Sequence, residues 1–134
     1  YMLLVRGEVL THILVVSLPI RGAIFAENTR ESIQEKAVKV FNAAVEKNGL
    51  QSGDIVSLQW TLTKDLDAMN PASALRAGKT LIDSSEIPLF CSQEAYVQGG
   101  RPKVIRMMLT AYLEKKPSHV YLDGAEVLRP DFAK

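Results

Sequence analysis

The most constraining feature of this chain is Arg106, the one misfit in the stretch Lys103–Leu113, whose other ten residues suit a buried or half-buried strand. If the stretch is a β-strand, its side chains alternate between two faces, and Arg106 shares one face with Met108 and Thr110. The other face is entirely apolar and is predicted to enter the core; it carries Ile105, Met107, Leu109, Ala111 and Leu113. A guanidinium stays charged near neutral pH and is costly to bury unpaired. Arg106 therefore reaches water, pairs with a carboxylate of its own chain, or binds an anionic ligand.

Length and charge limit the classes of protein to consider. The chain has 134 residues, enough for one domain with its own core, and a net charge of +1 without any basic block, which argues against nucleic-acid binding. The apolar segment 2–20 is interrupted by Arg6, Glu8 and His12, so we predict neither a signal peptide nor a membrane span. We expect residues 1–17 to form an extension of uncertain structure and residues 18–134 to form the functional domain. The single cysteine, Cys91, fits a reducing compartment, and a cytoplasmic location is expected.

The first half of the chain predicts two strands and one long helix. His12–Leu18 has the β-branched, continuous apolar pattern of a buried strand, with Arg21 placed where that strand ends. The helix begins near Asn28 or Thr29, which compete as the N-cap, and ends at Gly49. Its apolar stripe consists of Ile33, Ala37, Val40, Phe41 and Ala44. Ile55–Thr63 alternates Val56, Leu58, Trp60 and Leu62 with polar residues, as a half-buried strand does.

The second half predicts a short helix and further strands. Pro71 opens a helix over Pro71–Ala77 that Gly78 ends, and Ile87–Cys91 is a short apolar strand. Asp123-Gly124 indicates a two-residue hairpin between His119–Leu122 and Ala125–Arg129, with Tyr121 and Leu128 on the same side. The whole pattern is α+β, with a mixed sheet of about five strands and two helices.

Few residues have the spacing that metal or nucleophilic chemistry needs. His12 and His119 are far apart and lack ligand-spaced partners, so no metal site is predicted. Cys91 stands alone, which is typical of a small buried residue, and Gly99-Gly100 lacks the context of a phosphate loop. What remains is a set of arginines near the ends of the predicted elements, together with a tyrosine, a carboxylate and a thiol: Arg21, Arg76, Arg106, Arg129, Tyr121, Glu94 and Cys91. Each arginine alone is typical of a solvated surface charge, but together they suit a ligand with more than one carboxylate.

Six short segments in this order resemble the monofunctional chorismate mutases of the bacillus type, over nearly all of Leu18–Ala133. They are Ile20-Arg21-Gly22-Ala23; Asp65-Leu66-Asp67-Ala68 with Pro71-Ala72 and Arg76; Cys91-x-x-Glu94; Gly99-Gly100; Val104-Ile105-Arg106-Met107-Met108; and His119-Val120-Tyr121-Leu122 with Val127-Leu128-Arg129-Pro130-Asp131. The resemblance implies a homotrimer around a barrel-like core, with active sites between subunits. It also implies the rearrangement of chorismate to prephenate in the biosynthesis of aromatic amino acids (the shikimate pathway), without cofactor or metal.

The same resemblance implies roles for individual residues. Arg106 would stabilise the breaking ether oxygen, and Arg21 and Tyr121 would hold carboxylate groups. Glu94 and Cys91 would contact the ring side of the substrate. The remaining substrate-binding positions implied are Arg76, Ala72, Ser73, Asn70, Phe90, Leu128 and Arg129.

Three positions depart from the family pattern and leave alternatives open. Asn70 stands where relatives often have phenylalanine, Ser73 where a lysine is common, and Phe90 where a small residue is expected. A second hypothesis is therefore a non-catalytic trimeric module that binds a small anionic metabolite. A third is an acyl-transfer or redox enzyme that uses Cys91, which would need a nearby base. No regulatory domain is recognisable, and feedback control is not expected.

Overall fold

The computed structural model describes residues 15–132 and, before them, the backbone of two short strands. The elements are, in chain order, β1 (Leu3–Val5), β2 (Glu8–Leu10), β3 (Val16–Phe25), α1 (Arg30–Lys47), β4 (Ile55–Leu62), α2 (Pro71–Ala77), β5 (Leu89–Gln93), β6 (Val104–Leu113), β7 (Val120–Leu122) and a 3-10 helix (Ala125–Leu128). β1 and β2 pair with each other, and the other strands form one sheet in the order β5-β4-β6-β3-β7. The predicted mixed sheet of five strands with two helices is confirmed.

The arginine-containing strand is the centre of the sheet. β6 pairs antiparallel with β3 along its whole length and with β4 on its other side. Its predicted core face is confirmed, because Ile105, Leu109 and Ala111 are fully buried while Met108 on the opposite face is exposed. Period-two alternation is readable here because only one face of the sheet is covered.

Both helices cover that core face. Thr29 is the N-cap of α1, since its hydroxyl accepts a hydrogen bond from the Ser32 N–H, and Gly49 follows the helix with a φ of 62°. The predicted apolar stripe is fully buried against the sheet. α2 has the predicted bounds, with Asn70 as N-cap, and packs on α1 and β5. Gly22 of β3 lets α1 pack closely on the sheet, because a Cβ at this position would lie 2.8 Å from Met107 Cε and 3.2 Å from Val40 Cγ2.

The strand predictions need three corrections. β3 runs from Val16 to Phe25, so Arg21 lies inside the strand and not at its end; residues 12–14 of the predicted first strand lie outside the described residues. Among the described residues, β3 pairs at Pro19 only with β6, because β7 pairs just with Gly22–Ile24, and proline is tolerated at such an edge. An irregularity between Ile55 and Ser57 interrupts the register of β4, and this leaves Val56 exposed against prediction. The third predicted strand is shifted, to Leu89–Gln93.

The predicted hairpin at Asp123-Gly124 is wrong. β7 pairs parallel with β3, and the chain beyond the turn forms the 3-10 helix. The turn residues do have positive φ, 50° and 97°, but the Asp123 carboxylate is drawn to Lys36 and Lys39 of α1. Ala125 then buries against Ala23 and Tyr121 instead of continuing as a strand. Burial of the segment after the turn thus overrides the local hairpin preference.

Candidate active site

The face of the sheet opposite the helices carries side chains of all five strands in two adjacent rows, each of which crosses four strands. One row runs Thr61, Arg106, Ala23, Tyr121 across β4, β6, β3 and β7, as the strand register sets it. The next row runs Phe90, Gln59, Met108, Arg21 across β5, β4, β6 and β3. Residues far apart in the sequence therefore share one surface because directly opposed residues in a sheet point to the same side.

A cleft of about 400 Å³ opens over these rows. It is lined by five of the predicted site residues, Arg21, Arg106, Tyr121, Leu128 and Arg129, together with Gly22, Gln59, Thr61, Met107 and Met108. Tyr121 and Leu128 line the same cleft, but Leu128 is placed there by the 3-10 helix and not by the predicted hairpin. Three arginines at one cleft create a strong preference for an anion.

Arg106 is held by a carboxylate of its own chain. Its Nε lies 2.7 Å from Glu94 Oε1, and the same oxygen accepts a hydrogen bond of 3.0 Å from the Thr61 hydroxyl. Glu94 is itself anchored just beyond β5, because its backbone N–H donates to the Leu62 carbonyl at 2.8 Å. Arg106 remains 40% exposed, so the pairing orients the guanidinium without withdrawing it from the cleft. A guanidinium carries four further N–H groups besides Nε–H that can bind a ligand.

A second cluster surrounds the Phe132 ring. The Arg129 guanidinium lies 3.9 Å from the ring centroid and pairs with both oxygens of Asp131, while the Arg21 guanidinium is 6.0 Å from the ring. His119 packs on the same ring, and its Nδ1 accepts a hydrogen bond of 2.9 Å from the Arg21 backbone N–H. Burial, and then the charges of Arg21 and Arg129, lower the pKa of His119 below its ordinary value. The lowered pKa favours the neutral imidazole, whose Nδ1 can accept the hydrogen bond from the Arg21 backbone N–H.

The other predicted site residues lie away from this cleft within one chain. Cys91 pairs in register with Trp60 and points to the helix side, where it lines a separate cleft of about 270 Å³ with Asn70. Ala72 is buried in α2, and the Arg76 and Ser73 side chains contact each other on the same helix. Phe90 stands at the edge strand on the arginine face, 64% exposed.

The cysteine hypothesis finds little support in this geometry. Burial raises the pKa of the Cys91 thiol, which disfavours the reactive thiolate. Among the residues that the structure describes, no three His, Cys, Asp or Glu side chains are grouped closely enough to hold a metal ion. Over the same residues, no helix is both long and apolar enough to span a membrane.

The fold and the cleft define a class of protein: a mixed sheet, covered by helices on one face, whose open face lines a cleft with three arginines and a tyrosine, as suits an anionic ligand. The comparisons agree in detail. Residues 18–132 match the family model described as chorismate mutase type I. The chain is 36% identical over 118 residues to the chorismate mutase AroH of Bacillus subtilis (strain 168), covering 85% of this chain and 91% of that one. The solved chorismate mutase from Clostridium thermocellum is 38% identical and superposes with a TM-score of 0.76, covering 82% of this chain and 98% of that one. The chain thus belongs to the type I chorismate mutase family.

Sequence reasoning missed Gln59 and Thr61, which line the cleft from β4. Their signal is the polar half of the alternation in Ile55–Thr63, which by itself predicts no more than a half-buried strand. What the alternation lacks is register: only pairing of β4 with β6 places Thr61 opposite Arg106. No pattern within β4 alone contains that information.

Proposed function

We propose that this protein is a chorismate mutase that converts chorismate to prephenate by an intramolecular Claisen rearrangement, in phenylalanine and tyrosine biosynthesis. The observation that carries the proposal is that Arg106, which is paired with Glu94, lines one cleft with Arg21 and Tyr121 in a chain of this family. Chorismate is a flexible dianion that reacts only from a compact conformer, so positioning and charge stabilisation can supply the catalysis.

Arg106 is the residue proposed to act on the reacting bond. Negative charge develops on the ether oxygen as the carbon–oxygen bond breaks, and a cation already oriented by Glu94 stabilises that charge without reorganising. The donors of Arg21 and Tyr121 would hold the carboxylates, and Leu128 would supply an apolar wall. Glu94 would accept a hydrogen bond from the ring hydroxyl of the substrate. Arg129 would lie at the mouth of the cleft. One preorganised donor of this kind contributes about 3–4 kcal/mol to the barrier.

We further propose that the complete site forms between subunits of a homotrimer. Within one chain Cys91, Asn70 and the α2 residues Ala72, Ser73 and Arg76 are separated from Arg106 by the sheet, so a neighbouring copy would have to bring them to the cleft. The arginine face also carries exposed apolar side chains, Phe90, Met108 and Tyr112, which a neighbour would cover. The expected barrel-like assembly places such faces against each other.

The proposed compartment is the cytoplasm. The support is chemical: the chain has one cysteine, Cys91, which is free, as reducing compartments favour.

The test is the loss of chorismate absorbance with purified protein, with prephenate identified as the product. Arg106→Ala should lower kcat by at least about 10²- to 10³-fold, because the charge on the ether oxygen loses its donor. The matched control is Arg30→Ala, which removes an exposed arginine at the start of α1 and should keep wild-type kinetics. Equal activity of wild type and the Arg106 variant would refute the assigned role.

A binding module without catalysis is the second candidate, and one observation favours it. The Asn70 side chain caps α2 by accepting from the Ala72 N–H at 2.8 Å, so this position supplies no ring to a substrate pocket. If the wild-type protein binds chorismate but the bound chorismate rearranges no faster than it does without protein, the binding module becomes the favoured function. Cys91→Ser distinguishes the hypothesis of a catalytic thiol from the chorismate mutase, because the substitution should abolish activity only if the thiol is a nucleophile.

A further inference from the structure

Thr61 has no assigned part in the reaction, yet it contacts the carboxylate that holds the catalytic cation. It lies directly opposite Arg106 in the pairing of β4 with β6, so both side chains leave the same face of the sheet. Its hydroxyl donates to Glu94 Oε1 at 3.0 Å, and Arg106 Nε approaches that oxygen to 2.7 Å. One carboxylate oxygen therefore accepts a hydrogen bond from Thr61 and forms the ion pair with Arg106.

The shared oxygen determines how the carboxylate is turned. The terminal torsion of a glutamate is broad, so an ion pair alone leaves the carboxylate free to rotate and to engage the guanidinium in several ways. A second donor from a stiff, β-branched side chain on a central strand removes much of that freedom. Oε1 is then held by contacts with both Thr61 and Arg106. Arg106 approaches this carboxylate through Nε, and its guanidinium has four further N–H groups.

We propose that Thr61 is a positioning residue that sets the Glu94 carboxylate, and through it the Arg106 guanidinium, in the orientation that binds the transition state. The inference rests on the proposed chorismate mutase activity. Thr61 acts through Glu94, so its removal should misplace the cation while leaving the charge in the cleft unchanged. The loss should accordingly fall on kcat more than on KM, since substrate carboxylates still meet Arg21 and Tyr121.

The variants isolate the hydroxyl from the shape of the side chain. Thr61→Val removes the donor and keeps a β-branched residue in the strand, and we expect kcat to fall about tenfold, the equivalent of one hydrogen bond. Thr61→Ser keeps the donor and should recover most of the rate. Thr61→Ala is the second variant without a hydroxyl, should the valine disturb folding. The matched control is Thr110→Val. Thr110 lies on the same open face of the sheet as Thr61, but on β6 and outside the cleft.

Two further measurements test the route of the effect. In a Glu94→Ala background, Thr61→Val should change kcat less than about twofold, because the partner through which it acts is gone. An additive loss would overturn the inference and indicate direct contact with substrate. The exchange of the Arg106 Nε–H with water, followed by ¹⁵N NMR, should accelerate about tenfold in Thr61→Val and stay unchanged in Thr110→Val.

The exchange measurement does not depend on turnover. If the wild-type protein is active and Thr61→Val matches it in both kcat and the Nε–H exchange rate, the positioning role is refuted. The proposed chorismate mutase activity is then unaffected. If wild type is inactive, the proposed function is refuted, and the Nε–H exchange alone decides whether Thr61 orders the Glu94–Arg106 pair.

Discussion

The two faces of the five-stranded sheet use the same strands for opposite purposes. The helix face is closed by α1 and α2 and is almost wholly apolar, with Trp60, Phe41 and Leu109 fully buried. The open face carries Arg21, Arg106 and Arg129 around a cleft, with apolar side chains such as Phe90 and Met108 exposed beside them. Stability is expected to come chiefly from the first face and chemistry from the second, because dispersion and burial need tight packing whereas anion binding needs access.

This division explains why a central strand tolerates an arginine. Alternation places Arg106 on the open face. Its guanidinium pairs there with the Glu94 carboxylate, which also accepts a hydrogen bond from Thr61. The neighbours in sequence, Ile105 and Met107, enter the core on the other face. Adjacent residues can therefore be selected for different properties.

The largest expected loss of stability is on the helix face. Phe41→Ala should lower the free energy of unfolding by about 3–5 kcal/mol, because a fully buried ring leaves a cavity between α1 and the sheet. Chemical denaturation with constant m-values measures it, and activity per folded molecule should persist.

Phe90→Ala is the matched change on the open face and sharpens the comparison. In a lone chain this exposed ring should contribute less than about 1 kcal/mol. A larger cost that grows with protein concentration would show that another copy of the chain covers the ring, as the proposed trimer requires. Equal, concentration-independent losses for Phe41 and Phe90 would contradict the division between faces.

A smaller effect is expected where α1 approaches the sheet most closely. Gly22→Ala should destabilise the protein by about 1–3 kcal/mol, because the new methyl meets Met107 Cε and Val40 Cγ2. Thermal unfolding measures the loss. Met107→Leu shortens the side chain that is met first, so the double variant should regain part of the stability; no rescue would mean that the backbone, not the methionine, absorbs the strain.

Arg106→Ala should affect stability far less than activity. The ion pair with Glu94 is partly exposed, so its removal should change the free energy of unfolding by about 1 kcal/mol or less. The same denaturation experiment, beside the kinetic assay, tests this. A loss near that of Phe41→Ala would show that the pair is structural, and the division between faces would fail.

The smallest expected effect is the pH dependence that comes from His119. Its pKa is lowered in the folded protein, so above its ordinary value of about 6.5 both states are neutral and the group contributes no pH dependence. As pH falls below that value, the unfolded chain takes up the proton first and stability decreases. The imidazole faces the charges of Arg21, Arg129, Lys116 and Lys47, which all oppose protonation. Denaturation of His119→Gln between pH 5 and 7 should show a shallower decline than wild type; parallel curves would refute this cause.

Local patterns predicted those features whose cause lies within a few residues. The bounds of α2 follow from Asn70, Pro71 and Gly78, and the buried face of β6 follows from its alternation. The ordered segments around Arg21, Arg106 and Tyr121 led to the family that the comparisons confirm. The roles proposed for single residues, the trimer and the boundary at residue 18 stay predictions.

The sequence by itself determined the class of fold, the buried face of β6 and the set of charged residues available for a site, because these depend on composition and period. Only the tertiary structure decided that β7 runs parallel to β3, that Cys91 and Arg106 lie on opposite sides of the sheet, and that Thr61 stands beside Arg106. Those facts depend on which strands pair and in what register. The free energy of that choice is distributed over the whole core, and no short stretch of sequence contains it.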